Sequence, residues 1–119
     1  MALDILMIED EPNIAEAVRF ILSRDGWQLR LLQDGHGAIE EIRAARPRLV
    51  ILDLMLPHRS GAEILGDLRA EADAALAATP VLMLTARGQT ADAADQADAV
   101  LGKPFANDDL RAQVRRMLA

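Results

Sequence analysis

The sequence predicts an open α/β fold on a mainly parallel five-stranded sheet, and three observations carry that reading. Strand-like apolar runs alternate with helical patterns from one end of the chain to the other, the signature of repeated βαβ units. Runs such as Leu49-Val50-Ile51-Leu52 are continuously apolar, as expected of strands covered on both faces. The 119 residues suffice for one core but not two, so residues 1–119 are expected to form a single domain.

The elements follow in order. Leu3-Asp4-Ile5-Leu6-Met7-Ile8 is the first strand, with Asp4 as a polar opening. Pro12 suits a first helical turn, and Ile14, Val18, Ile21 and Leu22 recur at helical spacing up to Gly26, which predicts a helix over about 12–25 with a glycine stop. Gln28-Leu29-Arg30-Leu31-Leu32 partly alternates, as an exposed edge strand does. Ala38, Ile39 and Ile42 mark a second helix that ends before Pro47, and Leu49–Leu52 is the central strand. Residues 54–61 form a loop whose Pro57 and Gly61 set its turns. Ile64, Leu65 and Leu68 give the third helix, and Thr79-Pro80 opens the fourth strand, Val81–Leu84. Between Gly88 and Asp98 the apolar residues are alanines only, so a short or mobile fourth helix is expected there. Ala99-Val100-Leu101 is the fifth strand. The last helix carries Leu110, Val114, Met117 and Leu118 as its buried stripe, with Asn107 or Asp108 as the expected cap.

Composition narrows the function classes. With no cysteine, disulfides and thiolate metal sites are excluded. There is no signal-peptide pattern and no run long enough to span a bilayer, so a soluble cytoplasmic protein without membrane partners is the expectation. A net charge of −6 and only one Trp and two Phe disfavour direct nucleic-acid binding.

The chemistry gathers where the strands end. The first run leads into Glu9 and Asp10, the third into Asp53, the fourth into Thr85, and the fifth toward Lys103, the one lysine beside twelve arginines. If the strands are parallel, these residues share the carboxyl rim, where open α/β sheets bind ligands. In the flavodoxin-like order 2-1-3-4-5 the strand before Asp53 also lies next to the first. Three carboxylates and one ammonium carry a formal −2, so like-charge repulsion favours a divalent cation among them. Mg²⁺ takes oxygen ligands, commonly one or two carboxylates with several waters. Beside that ion Asp53 is suited to attack phosphorus, with Lys103 and the Thr85 hydroxyl on the phosphoryl oxygens.

Ile8-Glu9-Asp10-Glu11, Leu52-Asp53-Leu54-Met55-Leu56-Pro57 with Gly61, Leu84-Thr85-Ala86-Arg87 and Lys103-Pro104-Phe105 together resemble the receiver domain of two-component response regulators. The match runs along the whole chain. The resemblance implies a flavodoxin-like doubly wound sheet with helices on both faces. It implies that Asp53 is the phosphoacceptor, that Asp10 and Asp53 ligate Mg²⁺ directly, and that Glu9 acts through a metal-bound water. It also implies a backbone carbonyl ligand from Met55, phosphoryl contacts from Thr85 and Lys103, and a cis bond between Lys103 and Pro104. The implied partners are a sensor histidine kinase or histidine phosphotransfer protein, a downstream effector protein or domain, and a second copy in a phosphorylation-dependent homodimer. Such a protein is not an enzyme toward other substrates; it catalyses only its own aspartyl phosphorylation and dephosphorylation. Met55 and Arg87 are similar to the winged-helix transcription-factor subclass, and their bulk is expected to slow water attack on the phosphoaspartate. No winged helix follows, so the chain is read as either a stand-alone receiver or an excised one.

Two features depart from the family pattern. Val100 stands where an aromatic residue is usual, and the seventeen residues between Thr85 and Lys103 are fewer than the resemblance implies, by roughly one helical turn of ~3.6 residues. The expected switch is therefore ordering of a loosely packed segment instead of rotation of a ring. The alternative reading is a receiver-like binding module that works without phosphorylation. A small aspartate phosphatase is disfavoured because no acid stands two positions after Asp53 to serve as general acid, and a P-loop nucleotidase lacks its motif.

Taken singly, each rim residue has a plainer explanation, such as a turn cap or a surface charge; their shared position and order carry the functional reading. His36 and His58 invite phosphohistidine or metal chemistry, but neither has a partner at ligand spacing in the sequence, and both are read as solvated loop residues. Asp92, Asp95 and Asp98 are read as a wet helix face, and Trp27 as packing at the sheet edge.

Overall fold

The computed structural model describes residues 3–56, 58–86 and 96–118. Five strands, β1 (Ile5–Ile8), β2 (Leu29–Leu32), β3 (Leu49–Asp53), β4 (Val81–Thr85) and β5 (Ala99–Gly102), form one sheet in the order β2-β1-β3-β4-β5. All neighbouring pairs are parallel. The helices are α1 (Pro12–Arg24), α2 (Ala38–Ala45), α3 (Gly61–Arg69), the single turn α4 (Ala74–Ala77) and α5 (Asn107–Leu118). This is the flavodoxin-like arrangement the sequence predicts.

Strand periodicity divides the core in two. Leu6, Ile8, Val50, Leu52, Val81 and Met83 point to the layer of α2, α3 and α4. Ile5, Met7, Leu49, Ile51, Leu82 and Leu84, the alternate positions, meet Val18 and Leu22 of α1 and Leu110, Val114 and Leu118 of α5. The inner strands β1 and β3 are buried at every position, whereas the edge strands β2 and β5 are only partly buried. Each fully buried aliphatic side chain contributes about 1.5–3 kcal/mol relative to exposure, which explains why three unbroken apolar runs fix the sheet centre.

Helix ends match local chemistry. Past Arg24, Gly26 adopts φ 96°, its amide donating to the Ser23 carbonyl and that of Trp27 to Leu22, a Schellman closure that stops α1. Ser60 caps α3 by accepting from the Glu63 amide, while the Glu63 side chain accepts from the Ser60 amide.

Three expectations need correction or addition. Neither Asn107 nor Asp108 caps α5: the helix begins at Asn107, and the Ala106 carbonyl accepts from the Leu110 amide. Asp108 and Asp109 instead place negative charge in the first turn, where the helix dipole favours it. Asp98 lies on no helix; it precedes β5 and accepts from the Val81 amide at 2.8 Å and from Arg69 at 2.8 Å. The turn α4 was not anticipated, because four residues are too few for a period. Asp73 nucleates it by accepting from the Ala75 and Leu76 amides. The expected helix between Gly88 and Asp98 falls mainly on residues 87–95, outside the described residues, as do Arg87, Asp92 and Asp95.

Candidate functional site

Register builds the site. Ile8 pairs with Leu52 in the β1–β3 ladder, so the next residues, Glu9 just past β1 and Asp53 at the last position of β3, emerge side by side at the carboxyl edge. The adjacent Asp10 completes a group of three carboxylates whose ligand atoms all lie within 4.8 Å of one another. On the other flank, Thr85 pairs with Gly102 in the β4–β5 ladder, and the Lys103 amide donates to the Thr85 carbonyl at 2.6 Å. Lys103 thus arises next to the β4 end, and its Nζ reaches Glu9 Oε1 at 2.9 Å and Asp53 Oδ2 at 3.1 Å. The Lys103–Pro104 peptide bond is cis, as anticipated.

The electrostatics are unbalanced by burial. The Glu9 side chain is fully buried, and its Oε2 has no hydrogen-bond partner among the described residues. Burial first, then a hydrogen bond to and repulsion by Asp53, push the Glu9 carboxyl up to about 8, with Lys103 opposing the rise. Burial works against the charge on Lys103, but hydrogen bonds to Glu9 and Asp53 outweigh it and raise its pKa. Asp53 is nearly buried, and its Oδ1 accepts from the Met55 amide at 3.2 Å. Asp10 is exposed, which leaves a solvent-facing opening in the acid group.

The structure therefore brings Glu9, Asp10, Asp53 and Lys103 together, sets Thr85 at the neighbouring strand end, and places Met55 two residues past Asp53 with its side chain 65% exposed. An all-oxygen donor set around a buried, unpartnered carboxylate oxygen fits a hard divalent cation such as Mg²⁺.

One positioning residue was undervalued in the sequence. Gly61 reads there as a turn residue and as part of the motif around Asp53, with no packing role, yet a Cβ at Gly61 would collide with the Asp53 carbonyl oxygen and crowd Leu54 Cα. The Gly61 amide donates to the Leu54 carbonyl at 2.9 Å, so the start of α3 seats directly against the acceptor strand. Only the pairing of an acid-ended strand with a glycine a few residues later hints at this, and turn chemistry accounts for that glycine equally well. His36 and His58 are exposed loop residues, as the sequence suggests, and the fold adds a proximity that sequence spacing does not show: their ring centroids lie 6.2 Å apart, and His58 Nδ1 lies 3.7 Å from Asp34 Oδ2.

Comparison with known proteins converges on one family. The family model described as the response regulator receiver domain matches residues 5–115. The chain is 36% identical over 118 residues to the DNA-binding response regulator MtrA of Mycolicibacterium smegmatis, covering 96% of this chain and 50% of that protein. It is 40% identical over 115 residues to the transcriptional regulatory protein DltR of Streptococcus agalactiae, covering 93% and 50%. Among solved structures, it is similar to the signal receiver domain of a signal transduction histidine kinase from Syntrophus aciditrophicus, with a TM-score of 0.85, 30% identity and coverage of 98% and 90%. The chain spans about half the length of the curated relatives it matches.

Proposed function

The chain belongs to the response regulator receiver domain family, and on that premise we propose that Asp53 accepts a phosphoryl group from a phosphohistidine in a Mg²⁺-dependent step that switches partner binding. The observation that carries this reading is the Lys103 ammonium bridging Glu9 and Asp53 inside a group of three acids. In the proposed step an Asp53 carboxylate oxygen forms a bond to phosphorus, the P–N bond of the donor breaks, and its electron pair returns to the donor imidazole. Lys103 then exchanges part of its contact with Asp53 for the incoming phosphoryl oxygens, and the Thr85 hydroxyl donates to one of them. Asp10 and Asp53 would hold Mg²⁺ directly, with Glu9 through a water and Met55 through its carbonyl. When bound, Mg²⁺ neutralises the acids and the charge on the phosphoryl oxygens.

A groove of about 260 Å³ runs beside Lys103, lined by Ile14, Ala17 and Ile21 of α1 and by Pro104 and Phe105. It offers the donor an apolar footing next to the acceptor. No helix among the described residues is long and apolar enough to cross a membrane. The catalysis proposed is confined to the protein's own aspartate, including slow hydrolysis of the acyl phosphate.

The test is intact-mass measurement after incubation with acetyl phosphate, with and without Mg²⁺. One added phosphoryl group is expected only with the metal, and none in Asp53→Asn. Metal-independent labelling, or labelling that persists in Asp53→Asn, would refute the assignment.

A further inference from the structure

We propose that Asp34, His36 and His58 form a second cation site, selective for an imidazole-binding divalent metal such as Zn²⁺ and separate from the acid group at Asp53. The two histidines come from different loops, the one between β2 and α2 and the one between β3 and α3. What holds the loops together is Gly35, where a Cβ would collide with the Arg59 carbonyl oxygen. Backbone therefore lies on backbone at that point, and the residues following Gly35 and preceding Arg59 are the two histidines.

Asp34 organises the pair further. Its Oδ1 accepts from the His36 amide at 2.7 Å, while Oδ2 lies 3.7 Å from His58 Nδ1. His58 holds φ 67°, a left-handed conformation uncommon for a residue other than glycine. The ring centroids are 6.2 Å apart at an interplanar angle of 67°. Two imidazoles on one tetrahedral zinc, with Zn–N of about 2.0–2.1 Å, have centroids about 5 Å apart. Closing that difference takes a turn about side-chain torsions, and both histidines are exposed.

Both histidines line a cavity of about 800 Å³ between the α2 and α3 faces. The cationic groups nearby are already neutralised: Arg59 pairs with Asp67 and Glu63, and Arg43 with Glu71. Imidazole nitrogen favours Zn²⁺, Cu²⁺ or Ni²⁺ over Mg²⁺, so the two sites select different metals. A cation here would clamp the loop that follows Asp53 to the loop that follows β2.

The test is calorimetric titration of ZnCl₂ into the full chain in excess Mg²⁺, with histidine ring resonances followed by NMR. One zinc per chain is expected, shifting His36 and His58 together. His36→Ala and His58→Asn, the latter chosen because asparagine tolerates the left-handed backbone, should each weaken binding by roughly tenfold or more, since loss of a mere supporting contact already costs that much. Asp53→Asn should bind zinc normally while losing phosphoryl transfer, so the two readings fail separately. Absent zinc binding, or affinity unchanged in both histidine variants, would overturn the site.

Discussion

The two ends of the sheet treat acids in opposite ways. At the amino end each acid has an arginine of its own. Arg48 pairs with Asp4 and also donates to the Leu118 carbonyl, Arg43 pairs with Glu71, Arg46 with Asp73, and Arg69 with Asp98. Arg43 holds the Glu71 carboxyl below its usual range, and Arg46 does the same for Asp73. At the carboxyl end three acids gather with one lysine, whose ammonium bonds Glu9 and Asp53, and burial pushes Glu9 up to about 8. Matched charges hold strand entries in place, whereas mismatched ones store repulsion that a ligand can relieve.

That contrast can be broken by substitution. The largest effect is expected at Gly61→Val, where the new side chain would collide with the Asp53 backbone. It should cost about 2–3 kcal/mol of stability by overpacking and abolish phosphoryl acceptance; chemical denaturation and intact mass would read both. At the matched end, Asp98→Ala removes the acceptor shared by Arg69 and the Val81 amide. A loss of about 1–2 kcal/mol is expected from those two bonds, with Asp53 phosphorylation retained. At the mismatched end the sign reverses. Asp10→Asn should stabilise the metal-free chain by on the order of 0.5–1 kcal/mol, the size of a partly solvated like-charge repulsion, while weakening Mg²⁺. A thermal melt in chelator that shows Asp10→Asn destabilised would erase the distinction between the two ends.

Legibility in the sequence followed the physics of each element. Strands β1, β3 and β4 were plain because they are buried on both faces and need no polar alternation. Glu9, Asp10, Asp53, Thr85 and Lys103 were readable because parallel strands place all their carboxyl ends on one rim, so chain position alone brings them near. The α4 turn was not, since alanine gives no stripe and one Leu76 gives no period. The Asp98 contact was misread because its spacing from Asp92 and Asp95 imitates a helix, while its true partners lie 29 and 17 residues away. The meeting of His36 and His58 was hidden for the same reason: it depends on Gly35 lying against Arg59, a contact between loops that carries no periodic signal.

The most direct test of the mismatch is calorimetric titration of Mg²⁺ into the metal-free chain as a function of pH. Glu9 must shed its proton as a cation binds, so apparent affinity should rise with pH, by up to about tenfold per unit, and level off above about 8. Because its folded pKa is raised from 4.5, the same group's contribution to metal-free stability is full below pH 4.5 and lost as pH climbs through about 8. Glu9→Gln should bind Mg²⁺ with little pH dependence across that window. Saturable binding with that slope, removed by the substitution, is the predicted result; binding that is absent, or whose pH dependence is identical in Glu9→Gln, would contradict it.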